Sequence, residues 1–395
     1  MKIGFVTHTA YPEGIGGREH HIHSLARTIS EQTNDEVIVF TASDEKEVKW
    51  VIIDKAYWLV KIPSLSIAVS KNPLQIYHIV PKLYNLLKQA RPDILHLFEY
   101  GSYVTTVASF YAIHHHIPFV FTVYGYQLKK TILKCCKKAF DVCVGKYLLK
   151  KSRAIICVSR QQHEEMIQIG SHKIKNKMFI RANSVLIQDF KQINKDVLEK
   201  FREEYSLIEK GIIRLLTVAR ILPRKGIDTL LYALERVKRY YKRENIQLVL
   251  VGPDHGELKN LQSLINKLHL NKTVSVVGSI PYHEIKYFFH ACDIFVLPSL
   301  YEGIPLVIFE AMSGGKPIIS TSLVGIKSIV KNDETGLLVE PMDVNALADA
   351  IVRLSSDGDL RKEMGENARN EVQKYDSSCE VEFLYKSIYT KLVYS

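Results

Sequence analysis

The chain has 395 residues, of which 47% are hydrophobic and 24% charged, and its formal net charge is +11. This composition excludes a disordered chain, and the length exceeds one ordinary core, so two domains are expected. No apolar run reaches the roughly 20 residues that span a bilayer, so the sequence predicts no membrane-spanning helix.

The charge lies entirely in the first half. Residues 1–200 contain 28 Lys and Arg against 17 Asp and Glu, whereas residues 201–395 contain 25 of each. This asymmetry indicates an anionic partner for the first half, although surface lysines that only keep the protein soluble would give the same count. The start of the chain has the pattern of a strand rather than a signal peptide, and the six cysteines show no zinc or disulfide spacing. We therefore expect a cytoplasmic protein, peripheral on the inner membrane face if the anionic partner is a membrane.

Short apolar runs alternate with amphipathic stretches in the first half, which predicts βαβ units and a parallel sheet covered by helices. The predicted strands are Ile3–Thr7, Val37–Phe40, Ile94–Phe98, Phe119–Val123, Ala154–Val158 and Met178–Arg181. Helical patterns lie between them, as at His20–Ile29 and Pro81–Ala90.

A glycine-rich turn follows the first predicted strand. Gly14, Gly16 and Gly17 leave the backbone bare at the start of a helix, where it could contact a phosphate or a sugar. The spacing does not match G-x-G-x-x-G, so no dinucleotide cofactor is predicted, and a turn without function is the alternative. The histidines that follow, His20, His21 and His23, are expected on the helix surface, with one of them facing the cleft as the alternative.

A basic amphipathic helix is predicted at Leu128–Val144, with apolar residues on one side and lysines on the other. Such a helix can lie on an anionic membrane, or its apolar face can pack on its own sheet. The adjacent histidines 114–116 are expected in a polar loop, and no metal site is predicted.

The strand–helix pattern restarts after a polar stretch at Gln188–Lys210, with a clear amphipathic helix at Ile227–Val237. We therefore predict two doubly wound, Rossmann-like α/β domains, residues 1–200 and 201–376, with ligands bound in a cleft at the carboxyl ends of their strands. A final apolar stripe predicts a helix at about 377–395. The second series of strands is Ile212–Val218, Gln247–Val251, Val274–Val277, Ile294–Leu297 and Pro317–Ser320.

Two segments of the second half carry charged residues at strand ends. Arg220 and Lys225 follow the first strand of this half and suit a diphosphate, although a plain basic surface turn is the alternative. After the strand Ile294–Leu297, a loop holds Glu302 and Gly303, and Pro305 suits the first position of a helix that carries Glu310. The amides of that helix start would attract an anion, and Glu310 could accept hydrogen bonds from sugar hydroxyls; two surface glutamates are the alternative.

Together these segments resemble the retaining GT-B glycosyltransferases of family 4, also called glycosyltransferase group 1. The resemblance covers nearly the whole chain. It includes E-x7-E as Glu302 and Glu310, the run from Glu310 to Ile318 that follows E-A-M-A-x-G-x-P-V, and the strand ends at Gly252 and Gly278.

The resemblance implies a metal-independent hexosyltransferase that uses a UDP- or GDP-linked sugar and no cofactor. Arg220 and Lys225 would hold the diphosphate and stabilise it as it leaves, with its own oxygen taking the acceptor's proton. Glu310 would bind the ribose, and Gly252 and Gly278 would line the base pocket. The implied contacts to the donor sugar and to the phosphate come from Glu302, Gly303, Ile304, Pro305, Leu306, Gly16 and Gly17. The family also implies that the final helix crosses back to the first domain.

Two positions depart from the family. Tyr124 stands where many relatives have a histidine beside the donor sugar, so the contact there and the identity of the sugar are open, and Ser184 replaces a common glycine. The acceptor is expected on the first domain, as a glycan or glycolipid that a membrane could present. A sugar synthase or phosphorylase with a soluble acceptor is the alternative on this fold. A nucleic-acid-binding protein is a distant one, since no nucleic-acid-binding motif is found.

Overall fold

The computed structural model divides the chain into two compact units. Unit 1 comprises Met1–Leu186 with Ser377–Ser395, and unit 2 comprises Ile187–Asp376. The boundary therefore lies before residue 200, because the polar stretch after Gln188 is helical and buries Phe190 and Phe201 against phenylalanines of unit 2. The described residues are 1–14, 16–68, 76–124, 137–191 and 193–393.

Unit 1 is built on an eight-stranded sheet in the order β10-β9-β8-β7-β1-β2-β4-β3. All neighbours are parallel except β3 and β4, and β5 pairs with β6 in a separate antiparallel ribbon. The strands are β1 Lys2–Thr7, β2 Glu36–Ser43, β3 Lys49–Ile53, β4 Tyr57–Pro63, β5 Leu65–Ala68, β6 Ile76–Ile79, β7 Ile94–Phe98, β8 Phe119–Val123, β9 Ala154–Cys157 and β10 Met178–Ile180.

Helices cover both faces of this sheet, and they give one apolar core on each face. Strands β7 and β8 are buried along their whole length, as strands between two helical layers must be. The helices are α1 Gly17–Gln32, α2 Leu83–Ala90, α3 Tyr103–His114, α4 Lys146–Lys151 and α5 Arg160–Gly170, with single turns at Asp141–Gly145 and His172–Lys177.

Unit 2 is a six-stranded, wholly parallel sheet in the order β13-β12-β11-β14-β15-β16. Renumbered within the unit, this order is 3-2-1-4-5-6, as in a dinucleotide-binding Rossmann sheet. Successive strands are added on one side of β11 up to β13 and on the other side from β14 onward, so the strand order reverses between β11 and β14. The strands are β11 Ile213–Val218, β12 Ile246–Val251, β13 Val274–Gly278, β14 Ile294–Leu297, β15 Ile318–Thr321 and β16 Gly336–Val339.

The helices of unit 2 bury leucine- and isoleucine-rich faces on this sheet. In α8, for example, Leu230, Leu231, Leu234 and Val237 are all buried in the core. The helices are α6 Gln188–Lys191, α7 Lys195–Glu204, α8 Ile227–Tyr240, α9 Leu258–Lys267, α10 Tyr282–Ala291, α11 Leu306–Ser313, α12 Val324–Lys327, α13 Val344–Ser356 and α14 Gly358–Glu371, with single turns at Pro223–Lys225 and Val372–Tyr375.

The C-terminal segment belongs to unit 1. It runs through α15 Ser377–Leu384, a π turn Tyr385–Tyr389 and α16 Thr390–Val393. Its apolar stripe, with Val381, Leu384 and Ile388 buried, packs into the core between β1 and α1. The crossing back implied by the family is thus present, and it completes one face of the first sheet.

The predicted basic helix Leu128–Val144 lies only partly within the described chain, because residues 125–136 fall outside it. In the described remainder, Lys137 pairs with Asp141 at 2.7 Å, and Tyr100 donates to the same carboxylate at 2.8 Å. Across the described residues, the helices are too short or too polar to cross a bilayer.

Candidate active site

The reversal of strand order in unit 2 brings together the loops that follow β11 and β14. In sheets of this kind ligands bind at such a reversal, beyond the carboxyl ends of the strands. The first loop carries Arg220 and Lys225, and the second carries Ser299 and Glu302. Leu300 N–H donates to the Arg224 carbonyl at 2.8 Å, so the two loops are tied directly to each other.

Lys225 and Glu302 form a shielded ion pair. The Lys225 ammonium contacts Glu302 Oε1, and their side chains are only 11% and 10% exposed. Ser299 Oγ donates to the same carboxylate oxygen at 2.9 Å. The sequence predicted the two charges in separate roles, and the fold places them in one cluster, with Ser299 as a partner that no spacing indicated.

Glycines allow these loops to approach so closely. Gly226 has φ 64°, and a Cβ there would lie 2.1 Å from the Pro298 carbonyl oxygen, so no other residue fits. At Gly303 there is room for a side chain, because an added Cβ would meet nothing within 4 Å. The carbonyl oxygen of Gly303 is close to Gly325, where an added Cβ would lie only 1.7 Å from it. Gly303 therefore has open space beside its Cα, whereas Gly226 and Gly325 serve the packing of the loops.

Glu310 lies in α11 and is almost completely buried. Tyr282, on α10, donates a hydrogen bond to its carboxylate at 2.8 Å. Burial raises the pKa of Glu310 to about 7, and the Tyr282 hydrogen bond only partly offsets this. Helix α11 begins at Leu306, so Pro305 precedes its first turn rather than occupying it as the sequence suggested, with Gly303 and Ile304 just before it.

The remaining predicted residues of unit 2 lie on the same edge of the sheet. Gly252 follows β12 directly and has φ 142°, and its N–H donates to the carbonyl of Gly278, which ends β13, at 2.8 Å. A Cβ on Gly252 would lie 2.0 Å from the Ala219 carbonyl, next to Arg220. The charge of Arg220 adds to partial burial in lowering the pKa of His255 on the neighbouring loop.

In unit 1 the glycine-rich turn packs against the side chain of Glu19. A Cβ on Gly16 would lie 2.4 Å from Glu19 Oε2, and one on Gly14 would lie 2.4 Å from Glu19 Cγ. Gly16 caps α1, whose first residue is Gly17. At Gly16 the bare backbone therefore makes room for the Glu19 carboxylate, which lies beside the amides of the helix start.

Strand order also reverses in unit 1, between β1 and β7, and polar residues meet there that the sequence analysis did not single out. His8 follows β1 and Glu99 follows β7, and His8 Nδ1 lies 2.6 Å from Glu99 Oε2. Arg18, in α1, contacts His8 Nε2 at 3.1 Å and Glu19 Oε1 at 2.6 Å. We call these four residues, with Thr9, the unit 1 polar cluster.

Tyr124 lies at the end of β8, and its hydroxyl is 2.6 Å from His21 Nδ1. His21 Nε2 in turn lies 2.7 Å from Glu380 of α15. Burial alone would raise the pKa of Glu380, but the neighbouring His21, Ser184 and His96 bring it below its ordinary value. The expectation of surface histidines was wrong, because all three are buried. His21 packs against Glu380 of the final helix, whereas His20 and His23 lie against Tyr11, with His23 Nδ1 2.9 Å from the Tyr57 hydroxyl.

Comparison with known proteins matches both units to glycosyltransferase families. Residues 199–371 match the glycosyl transferases group 1, and residues 15–177 match glycosyltransferase family 4. An Escherichia coli UDP-Gal:alpha-D-GlcNAc-diphosphoundecaprenol alpha-1,3-galactosyltransferase is 30% identical over 73% of each chain. The chain belongs to the group 1, family 4 glycosyltransferases.

Solved structures share the whole fold with this glycosyltransferase. Sucrose-phosphate synthase from Thermosynechococcus elongatus superposes with a TM-score of 0.74 at 21% identity, covering 99% of both chains. The Anabaena protein Alr3699/HepE, crystallised with UDP and glucose, gives a TM-score of 0.73 at 19% identity, covering 98% of this chain and 99% of that one. The fold is therefore the two-domain α/β architecture called GT-B.

Proposed function

We propose that this glycosyltransferase moves a hexose from a UDP- or GDP-linked sugar to an acceptor bound by unit 1, with retention of configuration and without a metal ion. The observations that carry the proposal are the Lys225–Glu302 pair at the strand reversal of unit 2, the open space at Gly303 on the same loop, and the buried Glu310 of the helix that follows this loop. The E. coli relative is named for UDP-galactose as donor and for a lipid-linked sugar as acceptor, which supports a nucleotide sugar and a glycolipid acceptor.

In the proposed reaction, Arg220 and Lys225 bind the diphosphate and stabilise the charge that develops as it leaves. Glu302 holds the Lys225 ammonium in place until then and accepts hydrogen bonds from the donor sugar. The backbone N–H groups of Gly303, Ile304 and Leu306, at the start of α11, would face the same negative charge. The acceptor's proton passes to the departing diphosphate on the same face, so the protein supplies positive charge rather than a base.

Glu310 gives the nucleotide its anchor. Burial raises the pKa of this carboxylate to about 7, and the hydrogen bond from Tyr282 offsets this only in part. The two hydroxyls of a ribose would supply further donors. Gly252 and Gly278, at the ends of β12 and β13, leave the backbone bare where the base would lie.

A nucleotide-sugar panel tests the proposal. UDP-, GDP- and ADP-sugars are each tested for a rise in melting temperature and for release of the diphosphate, with EDTA present throughout. We expect a shift with UDP- or GDP-sugars and release that persists in EDTA. A shift only with polynucleotide would point to nucleic-acid binding, and release that EDTA abolishes would disprove metal independence.

Contact with an anionic membrane stays part of the proposal, as the way in which a lipid-linked acceptor would be presented. Its support is the basic charge of residues 1–200. Sedimentation with vesicles of anionic lipid should retain the protein at low salt and release it at high salt. Equal sedimentation with neutral vesicles would remove the membrane from the proposal.

A further inference from the structure

The unit 1 polar cluster is held in one hydrogen-bonding state by its own geometry. A guanidinium can only donate, so the contact from Arg18 Nη2 to His8 Nε2 at 3.1 Å requires a lone pair on Nε2. The proton of the neutral imidazole is therefore on Nδ1, where it donates to Glu99 Oε2 at 2.6 Å. The carboxylate thus fixes the tautomer of His8.

Arg18 cannot satisfy all the acceptors that surround it. Its Nη2 carries two hydrogens but lies within 3.1 Å of three acceptors: Glu19 Oε1 at 2.6 Å, Thr9 Oγ1 at 2.8 Å and His8 Nε2 at 3.1 Å. The two shorter contacts are the stronger ones, so the donation to His8 Nε2 is the weakest of the three and the one that a ligand hydroxyl can most easily replace. A quarter of the His8 side-chain surface is exposed, so a ligand can reach this residue.

Backbone strain at Glu99 supports a role beyond packing. Glu99 has φ 116°, a region that side chains other than glycine rarely occupy. In this conformation its carboxylate contacts His8 on one oxygen and Arg18 Nη1, at 3.5 Å, on the other. Strained residues that orient polar groups are concentrated at binding sites.

The charge of the cluster restricts what it can bind. Burial would raise the pKa of both carboxylates, but Arg18, with His8 beside Glu99, lowers both, to about 2 for Glu19. The cluster thus holds two ionised carboxylates beside one guanidinium. An anionic group would meet both carboxylates there, whereas a hydroxyl can donate to the imidazole.

We propose that His8, oriented by Glu99, accepts a hydrogen bond from a non-reacting hydroxyl of the acceptor, so that unit 1 selects an uncharged, polyhydroxylated group. This inference rests on the proposed function, in which the proton of the reacting hydroxyl goes to the diphosphate. The acceptor must then carry a second hydroxyl that donates to His8, and an acceptor with a single hydroxyl would lack it. His8 binds the acceptor, and Glu99 is a positioning residue.

Two measurements test the proposal. Nitrogen-15 NMR of the imidazole should show His8 unprotonated at Nε2, and E99A, which removes the acceptor of the Nδ1 proton, should raise the fraction of the Nε2–H tautomer. Saturation-transfer NMR then measures binding of methyl α-glucopyranoside, as the probe, with and without UDP. H8A and E99A should weaken this binding about tenfold, the loss of one hydrogen bond, with UDP affinity unchanged. E99Q, whose amide oxygen can still accept from Nδ1–H, should restore part of it.

The matched control is H114Q, which alters an exposed histidine of the same unit and should change nothing. Equal glucoside affinity in H8A, no glucoside binding by the unmodified protein, or tighter binding of methyl glucuronide would each overturn the assignment. An Nε2–H tautomer in the unmodified protein would do so as well. Failure of UDP to bind while the glucoside results hold would instead count against the proposed donor site alone.

Discussion

Replacing Glu310 by glutamine should stabilise the fold while it weakens binding of the nucleotide sugar. Glutamine keeps the shape of the side chain and still offers an oxygen to the Tyr282 hydroxyl, which now lies 2.8 Å from the carboxylate. What it removes is the ability to carry a negative charge in a site that is only 4% exposed. The change therefore separates the cost of the buried charge from its use in binding.

The size of the effect follows from the pKa. The pKa of Glu310 rises from 4.5 in the unfolded chain to about 7 in the fold, so the native state holds its proton more tightly. Below pH 4.5 both states are protonated and the penalty is absent. It grows as the pH rises and reaches its full value, about 3 kcal/mol, above pH 7. E310Q carries no such penalty, so its advantage in unfolding free energy should increase by about 2 kcal/mol between about pH 5.5 and pH 8.

Urea unfolding followed by circular dichroism at the two pH values measures this advantage. Both tryptophans, Trp50 and Trp58, lie in unit 1, so their fluorescence reports the other unit and serves as an internal control. The same variant should lose affinity for UDP-glucose, measured by calorimetry. A midpoint for E310Q that is lower than, or equal to, that of the unmodified protein at pH 8 would refute the reasoning about the buried carboxylate.

Three further predictions concern the same edge of unit 2. K225A should lower transfer on the order of a hundredfold while the chain stays folded, because it removes a charge from the leaving diphosphate; a near-normal rate would reject that role. G226A should destabilise unit 2, because the added Cβ would lie 2.1 Å from the Pro298 carbonyl oxygen. G303A should fold normally, because its Cβ meets open space, but it should lose affinity for the donor. Equal melting temperatures for the two variants would contradict this contrast. Affinity for UDP-glucose, whose diphosphate does not titrate near neutrality, should rise from about pH 6 to pH 8 as Glu310 ionises and should stay flat in E310Q.

Sequence patterns predicted the buried strands well because these strands are apolar on both faces. Ile94–Phe98, Phe119–Val123 and Ile294–Leu297 have the bounds that were expected. The strands between residues 49 and 79 were missed. Strand β3 lies at an edge and β5 and β6 form a separate ribbon, and Trp50 and Ile52 of β3 are exposed, so the apolar signal there is weak. Strand β4 was missed although it is an inner and largely buried strand. The helices α6 and α7 were missed because their turns are mostly polar, with only Phe190 buried in α6 and Leu198 and Phe201 in α7.

The candidate residues of unit 1 and those of unit 2 differed in how far they could be predicted. The charges of unit 2 follow their strands within a few residues, so reading strand ends located them. His8 and Glu99 are 91 positions apart and meet only because β1 and β7 are neighbours in the sheet. A single histidine after a strand carries no signal of its own. Only the strand order reveals its partner.

Unit 1 is discontinuous in the chain, and this has a consequence for its biosynthesis. The Val185 carbonyl accepts a hydrogen bond from Ser377 N–H, so the segment that leaves unit 1 is fastened to the one that returns. All of unit 2 is synthesised between these points, and it can fold as soon as it emerges from the ribosome. The support that His21 gives to Tyr124 is completed by Glu380, which is translated after all of unit 2. A nascent chain that stops before α15 would therefore have a finished unit 2 and an unfinished unit 1.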